Sequence, residues 1–565
     1  MKELILRGMR KSTYSLAFVL IAVVSLATIL TISSVSVAQI LHIDKGSQFV
    51  YHAYLRTVSE DDPGTVHVLI ANTLSSVVTV RRLCLNGHPV KQTPDDYVYW
   101  QRTVPHIAKP GEIMDVMLKL RRVTNKPIRL DVILSDGSHV SSVVDPEPER
   151  LRFSFVGYDS QANRAYLYLQ NQYDRPLRIQ KLLCNLNDIT SSCWIPENTI
   201  ASNSKKLIVF SSPDKLCPGD YLAFKVLTDQ EAVAVAQTRV YSYFPITAFF
   251  DDTRTELGFD EVPFDMPFPS SQEEFVGSKN QPSHKVYHVF NDPACNDGRA
   301  RQLIGANMTE IARRTAECYE KDHVHPSLVY LCHHLKPFSY CIYGEAADVI
   351  AADPYEMHNR QDQPLKDAEY IALAKKAAEP RLLWCIPEAW TDPSRQRFPT
   401  PEEERIIVYS EIGEGSRGVW YFSAKRTSGY RGSPPLEAEI GRINRELRYL
   451  KDYLVIGESF PIASVKSEKA RVYSILCGDK GIVLILVNLD HQSSFEKNKP
   501  AFVYSPQEDL TIQCHIPEWF RPTEVLSVED GELSKLDYRR VGSTMIISIR
   551  RLEITKQILI KGGRQ

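Results

Sequence analysis

Residues 381–430 read RLLWCIPEAWTDPSRQRFPTPEEERIIVYSEIGEGSRGVWYFSAKRTSGY. The run from Arg381 to Ile386 is apolar with no polar alternation, the pattern of a strand covered on both faces. It ends in Pro387-Glu388-Ala389-Trp390, which sets a carboxylate and an indole at the carboxyl end of that strand. Thr400-Pro401-Glu402-Glu403 predicts a helix start, with Thr400 as N-cap, proline in the first turn and Glu403 at the capping-box position. The helix should run to about Ile412, and Gly418 to Ser423 (GVWYFS) reads as a second buried strand. Strand, long loop, helix and strand make one βαβ step of a parallel sheet.

The same rhythm extends over residues 244–462. Ile246 to Phe250, Lys285 to Phe290, Leu328 to Cys332 and Val349 to Ala352 are apolar runs, each followed by an acidic, histidine or aromatic cluster. Helices fit Thr309 to Lys321, Pro364 to Ala378 and Glu437 to Leu454. A (β/α)8 TIM barrel carries its active site at the carboxyl ends of its strands, and such a barrel is expected here, short enough for one or two helices to be reduced to loops. A doubly wound sheet would also give βαβ steps but would not explain polar clusters after nearly every strand.

The flanks are β-rich. Residues 39–145 and 146–243 alternate strand-like runs with Gly, Pro and Asp turns. Asn72 and the later Val80-Arg81-Arg82-Leu83 recur as Asn171 and Ile179-Gln180-Lys181-Leu182 roughly a hundred residues on. Two tandem β-sandwiches fit this repeat, and residues 463–565 predict a third on the far side. The expected architecture is therefore multidomain α/β plus all-β: a central barrel between two N-terminal sandwiches and one C-terminal sandwich. Lys2, Arg7, Arg10 and Lys11 precede an apolar segment over residues 14–32, and Ser36-Val37-Ala38 supplies small residues before Gln39. Residues 1–38 read as a signal peptide, or as a membrane anchor if uncleaved, so an extracellular, periplasmic or cell-envelope location is expected.

A net charge of −2 over 565 residues leaves no global basic field for nucleic acid. Eleven cysteines occur without a CxxC pair. Several lie inside apolar runs, where a free thiol acts as a small core residue, although Cys184 could pair with Cys193 or Cys217 in an oxidising compartment.

DPY after a strand, WxxPEAW, RFPTPEEE, a helix, and GxxGVWYFS with Gly-Tyr downstream resemble the second half of TIM-barrel glycoside hydrolases of the β-galactosidase-like clan. The resemblance covers residues 340–430 well and 245–340 loosely. It implies a retaining hydrolase with β-sandwich modules on both sides and a carbohydrate substrate. The chain departs from the clan in having no Asn-Glu pair at a strand end, the usual setting of its acid/base.

Glycoside hydrolysis needs two carboxyl groups about 5 to 10 Å apart, one able to donate a proton, and aromatic surface for the sugar's apolar face. Glu388 is the first candidate and Asp353, in Ala352-Asp353-Pro354-Tyr355, its partner; Glu345 and Asp348 are alternates. Asp252, Arg254 and Asp292 stand at earlier strand ends and would hydrogen-bond sugar hydroxyls; His333 is placed to face the mouth, and Tyr355, Trp390 and Trp420 to line it. The bland reading of each is a turn former, a solvated loop carboxylate or a core ring. Gly413-Glu414-Gly415-Ser416-Arg417-Gly418 spells GxGxxG, but it follows a helix and precedes a strand, the reverse of a dinucleotide turn, so no cofactor is expected. His323, His325, Cys332, His333 and His334 lack metal-ligand spacing, and no metal is expected. Two function classes follow: a secreted glycoside hydrolase, or a non-catalytic surface protein that binds glycan or protein.

Overall fold

The computed structural model describes residues 49–90, 98–249, 257, 286–291, 293, 300–332, 336–357, 363–391, 397–496 and 499–564. Strand, at 47%, outweighs helix, at 18%. The first antiparallel unit sets the sheet Phe49–Arg56, Thr65–Ala71, Ile113–Leu120 and Val98–Val104 over Val78–Leu85, Ile128–Leu134 and His139–Val144. The second repeats the plan with Leu151–Asp159, Arg164–Asn171, Ser204–Ser211 and Cys193–Trp194 over Leu177–Cys184, Tyr221–Thr228 and Val233–Arg239. Each encloses its own aliphatic core.

The repeat is chemical as well as topological. In the first unit Leu85 pairs with His88 across Asn86-Gly87, both with positive φ (50° and 83°), as a two-residue hairpin loop requires. In the second, Cys184 pairs with Asn187 across Asn185 (φ 50°) and Leu186. Buried Asn72 gives its amide to the carbonyls of Ser76 and Ala108, both at 2.9 Å, and accepts from the Leu74 N–H at 3.1 Å. Asn171 does the same for Arg175 (2.9 Å), Ala201 (3.0 Å) and the Tyr173 N–H (2.9 Å). One side chain thus satisfies three backbone groups where a strand leaves its sheet, and buried loop backbone needs such partners.

Between the antiparallel units lies a parallel sheet. Its elements in chain order are β1 (Ile246–Ala248), β2 (Tyr287–Asn291), α1 (Ala300–Lys321), β3 (Ser327–Leu331), α2 (Phe338–Tyr343), β4 (Val349–Ala352), α3 (Leu365–Ala378), β5 (Leu382–Cys385), α4 (Pro401–Gly413), β6 (Val419–Tyr421) and α5 (Pro434–Leu454). The strand order is β1-β6-β5-β4-β3-β2, all parallel. Strands β3, β4, β5 and β6 are buried along their whole length. Helix α4 starts at Pro401 with its capping box closed: Glu403 N–H to Thr400 Oγ1 at 3.2 Å and Thr400 N–H to Glu403 Oε2 at 2.8 Å.

The predicted closed (β/α)8 barrel is corrected here. The described residues form six parallel strands and five α-helices, with no closed eight-stranded barrel, and the chain as a whole is a sandwich-rich, mostly β assembly of several sheets. The physical reason is that a polar cluster after each strand marks the carboxyl edge of any parallel sheet; it specifies neither the number of strands nor closure. The segment 1–38, read as signal or anchor, lies outside the described residues, and no described helix is long and apolar enough to cross a membrane.

The last unit sets Gly457–Ser459, Ala470–Cys477, Gly481–Asn488, Thr555–Arg564, Phe520–Glu529 and Glu532–Lys535 over Ala463–Val465, Gln507–His515, Thr544–Leu552 and Tyr538–Val541. Asn488 repeats the asparagine plug, giving its amide to Ser505 O (2.9 Å) and Glu553 O (2.7 Å) and accepting from Asp490 N–H (2.9 Å). Arg397, before α4, grips Glu403 with two bonds of 2.7 and 2.8 Å. It also donates to the carbonyls of Ser494 and Ala501 and lies 4.2 Å over the Phe495 ring, tying the β5–α4 loop to this unit. The ten described cysteines are free; burial pushes the Cys184 and Cys193 thiols up to about 12.

Candidate active site

The carboxyl edge of the parallel sheet gathers aromatic rings and two buried carboxylates. Asp353 directly follows β4 and is fully buried; Glu388 follows β5 and is 1% exposed. Ala352 pairs with Cys385, and the Ile386 N–H donates to Ala352 O at 2.9 Å. Asp353 is therefore level with Ile386 on the adjacent strand, and Glu388 stands two residues further. Strand spacing and rise put the two Cα atoms roughly 8 Å apart. Glu388 bridges to Phe422 beyond β6, whose N–H donates to Pro387 O at 3.1 Å.

The rings come from all six strands or the residues just after them. Phe249 after β1 stacks on Trp420 of β6 with centroids 3.6 Å apart, and stands edge-on to Tyr330 of β3 at 5.8 Å and Phe422 at 5.1 Å. His288 of β2 lies 5.7 Å from Trp420. Tyr355, Trp390 and Phe422 form a second group, with centroids 5.4 to 6.2 Å apart. Trp390 is partly exposed, so its indole offers a face.

The Tyr330 hydroxyl donates to Asp353 Oδ2. Burial, with the Asp353 charge beside it, holds that phenol well above its ordinary value, so it stays a donor. Burial pushes His288 down to about 4, which leaves its imidazole neutral at pH 7. Tyr355 has φ 46°, a left-handed conformation uncommon outside glycine and costly unless its surroundings fix it. They do: Lys336 binds Pro354 O and pairs with Glu356, and the Glu356 N–H donates to Asp367 at 2.7 Å.

Behind β5 and β6, helix α4 buries Glu404 and Glu411 completely. Burial first, and then the Asp367 charge, raises Glu404 to about 8 and Glu411 well above the carboxylate range. Neither Glu404 oxygen finds a hydrogen-bond partner among the described residues.

The structure thus brings together Asp353, Glu388, Tyr355, Trp390 and Trp420. It places Glu345 elsewhere, before β4 at the amino edge, where it meets Arg56 at 2.6 Å, His67 Nε2 at 3.1 Å and Arg381 at 3.4 Å. These cations hold its carboxyl well below the usual range against burial. Asp348 is likewise paired, with Arg239 at 3.0 Å and a Tyr221 hydroxyl bond at 2.8 Å. Asp252, Arg254, Asp292 and His333 lie outside the described residues. Phe249, His288, Tyr330 and Phe422 were missed, although each sits at or near the end of an apolar run. Among the described residues no three His, Cys, Asp or Glu side chains converge as metal ligands.

No family model matches the chain, and no curated protein does. Among solved structures it is similar to a Paenibacillus sp. cycloisomaltooligosaccharide glucanotransferase (8% identity over 73% of this chain and 99% of that one, TM-score 0.34). It is also similar to a putative β-galactosidase from Bacteroides fragilis (7% identity, 90% and 92%, TM-score 0.26). A third is α-L-fucosidase isoenzyme 2 from Paenibacillus thiaminolyticus (12% identity, TM-score 0.15), of which this chain spans only 19%. These neighbours are glycan-processing enzymes by name, but TM-scores this low define no shared fold.

Proposed function

We propose that the protein is a carbohydrate-active enzyme that hydrolyses a glycosidic bond of a poly- or oligosaccharide, with Asp353 and Glu388 as its carboxylate pair. The observation that carries the reading is the placement of both groups on adjacent strands at the carboxyl edge, within one aromatic cluster. With their Cα atoms roughly 8 Å apart, the two carboxyl groups can approach to the separation such catalysis uses, and Trp390 offers a ring for the sugar's apolar face. Tyr330 would hold Asp353 in position by its hydrogen bond, leaving Glu388 to act as proton donor or as nucleophile. The basic and apolar segment over residues 2–32 fits an enzyme that meets its glycan outside the cytoplasm; protein from its native host should then begin near Gln39, as mass spectrometry of the N-terminus would read. An intact Met1 in a soluble cytosolic fraction would overturn that location.

The test is a panel of chromogenic glycosides with wild type, Glu388→Gln and Asp353→Asn. Each variant should keep its fold and its glycan binding and lose at least about a hundredfold in turnover. Near-normal turnover in Glu388→Gln would sink the assignment. A second reading, glycan binding without cleavage, is favoured by the near-complete burial of both carboxylates; it holds if wild type binds sugars yet cleaves nothing in the panel.

A further inference from the structure

A cavity of about 620 Å³ opens on the amino side of the parallel sheet, away from Asp353 and Glu388. Its walls are the turn after the first strand of the first unit, the linker joining the two N-terminal units, and the end of α3 with Pro380. Four cations line it, Arg56, Arg150, Arg152 and Lys376, with three acids, Glu60, Asp62 and Glu149.

Most of the acids are already spent. Asp62 binds Lys119 at 2.7 Å and the N–H groups of Val58 and Gly64, and Glu149 is taken by His52. Arg56 in turn is spent on Glu345 and on the carbonyls of Lys376 and Ala377. What remains is cationic. Among the described residues the Arg150 side chain lies only over the Tyr173 ring, 6.0 Å from its centroid. Arg152 touches Glu379 at 3.5 Å, and its buried Nε–H has no hydrogen-bond partner among the described residues. Lys376 has no ion pair among the described residues. Of the three lining acids only Glu60 is left among the described residues, with Glu379 beside the cavity facing Arg152 and Lys376.

We infer that this junction binds a small organic anion, a molecule of monosaccharide size bearing a carboxylate or a phosphate, with Arg150, Arg152 and Lys376 as its cationic cradle. Two guanidinium forks suit a planar carboxylate or a phosphate, and an ammonium adds a point charge. Phe153, Leu55 and Val58 supply apolar wall, and the volume falls in the range of small-molecule sites. The Lys376 ammonium is lowered from its ordinary value, by burial first and then by Arg152; a bound anion would relieve that crowding. Because the walls come from three units, the ligand would also clamp them together.

Calorimetric titration of the full chain with glucuronate, glucose 6-phosphate, inorganic phosphate and neutral glucose tests this without any turnover, so its outcome is separate from that of the glycosidase assignment. At least one anion should bind once per chain while glucose does not. A response to glucuronate alone would assign the site to sugar acids, and a response to the phosphates alone to phosphorylated compounds. Arg152→Met with Lys376→Met should weaken the anion at least about tenfold. Arg150→Met, at an exposed position and therefore safe for folding, should weaken it severalfold, and Glu60→Gln should tighten it. Absence of anion binding up to about 10 mM, or affinity unmoved in Arg150→Met and Glu60→Gln, would overturn the inference.

Discussion

At the amino end of the parallel sheet Glu345 is locked between Arg56 and His67, and Asp348 against Arg239. Both sets of partners arrive from the N-terminal antiparallel units, and Trp100 and Arg102 add bonds of 2.9 and 2.6 Å to the carbonyls of Ile342 and Glu345. At the carboxyl end Asp353 takes a hydrogen bond from a tyrosine and, with Glu388, lies among rings. Both ends bury carboxylates; at one end cations from other units fasten them, and at the other aromatic rings gather round the strand ends that carry them. Burial alone therefore does not mark an acid as structural; at the amino end the origin and charge of its neighbours do.

The sharpest way to break this contrast is Glu345→Gln. Leaving Arg56 buried without its counter-charge, and His67 with Asp115 alone, should cost about 3–5 kcal/mol, read by denaturant unfolding; a loss under about 1 kcal/mol would show that Glu345 fastens nothing.

Glu404 sharpens it from the helix layer. Its carboxyl rises from 4.5 unfolded to about 8 folded, so ionisation penalises the fold increasingly as pH climbs between those values. Glu404→Gln should therefore be more stable than wild type by roughly 3 kcal/mol at pH 7, with the difference fading towards pH 4.5. A difference independent of pH would show that packing, not charge, governs the site.

His67 tests the fastener by titration. Asp115 at 2.9 Å and Glu345 outweigh burial and raise its imidazole to about 9. Its stabilisation is fully present below pH 6.5 and is lost as pH rises to 9; that of Glu345, whose carboxyl is depressed, is present above about 4.5 and lost as pH falls. Wild type should exceed His67→Gln most near pH 5–6, and the gap should shrink by about 2–3 kcal/mol by pH 9. A gap that stays constant would mean that His67 is neutral in the fold. The smallest effect expected is Thr400→Ala, about 1 kcal/mol from the lost cap on α4, with glycan binding unchanged.

Much of this was legible in the sequence, for local reasons. The start of α4 is written in Thr400-Pro401-Glu402-Glu403, and β5 and β6 in the apolar runs before Glu388 and through Trp420, because caps and unbroken apolar runs act over a few residues. The tandem antiparallel plan was visible in Asn72 and Asn171, since the same turn needs the same amide. Closure of the parallel sheet was not legible, because strand-end polarity is common to open and closed sheets. The role of Glu345 was hidden for a different reason: Arg56 lies 289 positions away in the chain and leaves no trace near Tyr343-Gly344. Phe249, Tyr330 and Phe422 were visible as residues, but their grouping depends on β1 lying beside β6, a fact of sheet order.

Arg397 bears on how freely such a protein could be taken apart. Antiparallel modules at the end of a chain are commonly treated as removable appendages, exchanged or deleted without touching the core. Here one guanidinium spans the joint, holding the loop from Trp390 to α4 against Ser494 and Ala501, and Gly413 closes α4 so tightly on Tyr473 that an added methyl would lie 2.4 Å from the ring. A truncation before residue 457 would thus strip the backing from the loop that follows Glu388 and expose the apolar flank of α4. The terminal unit looks detachable in sequence and works as a strut.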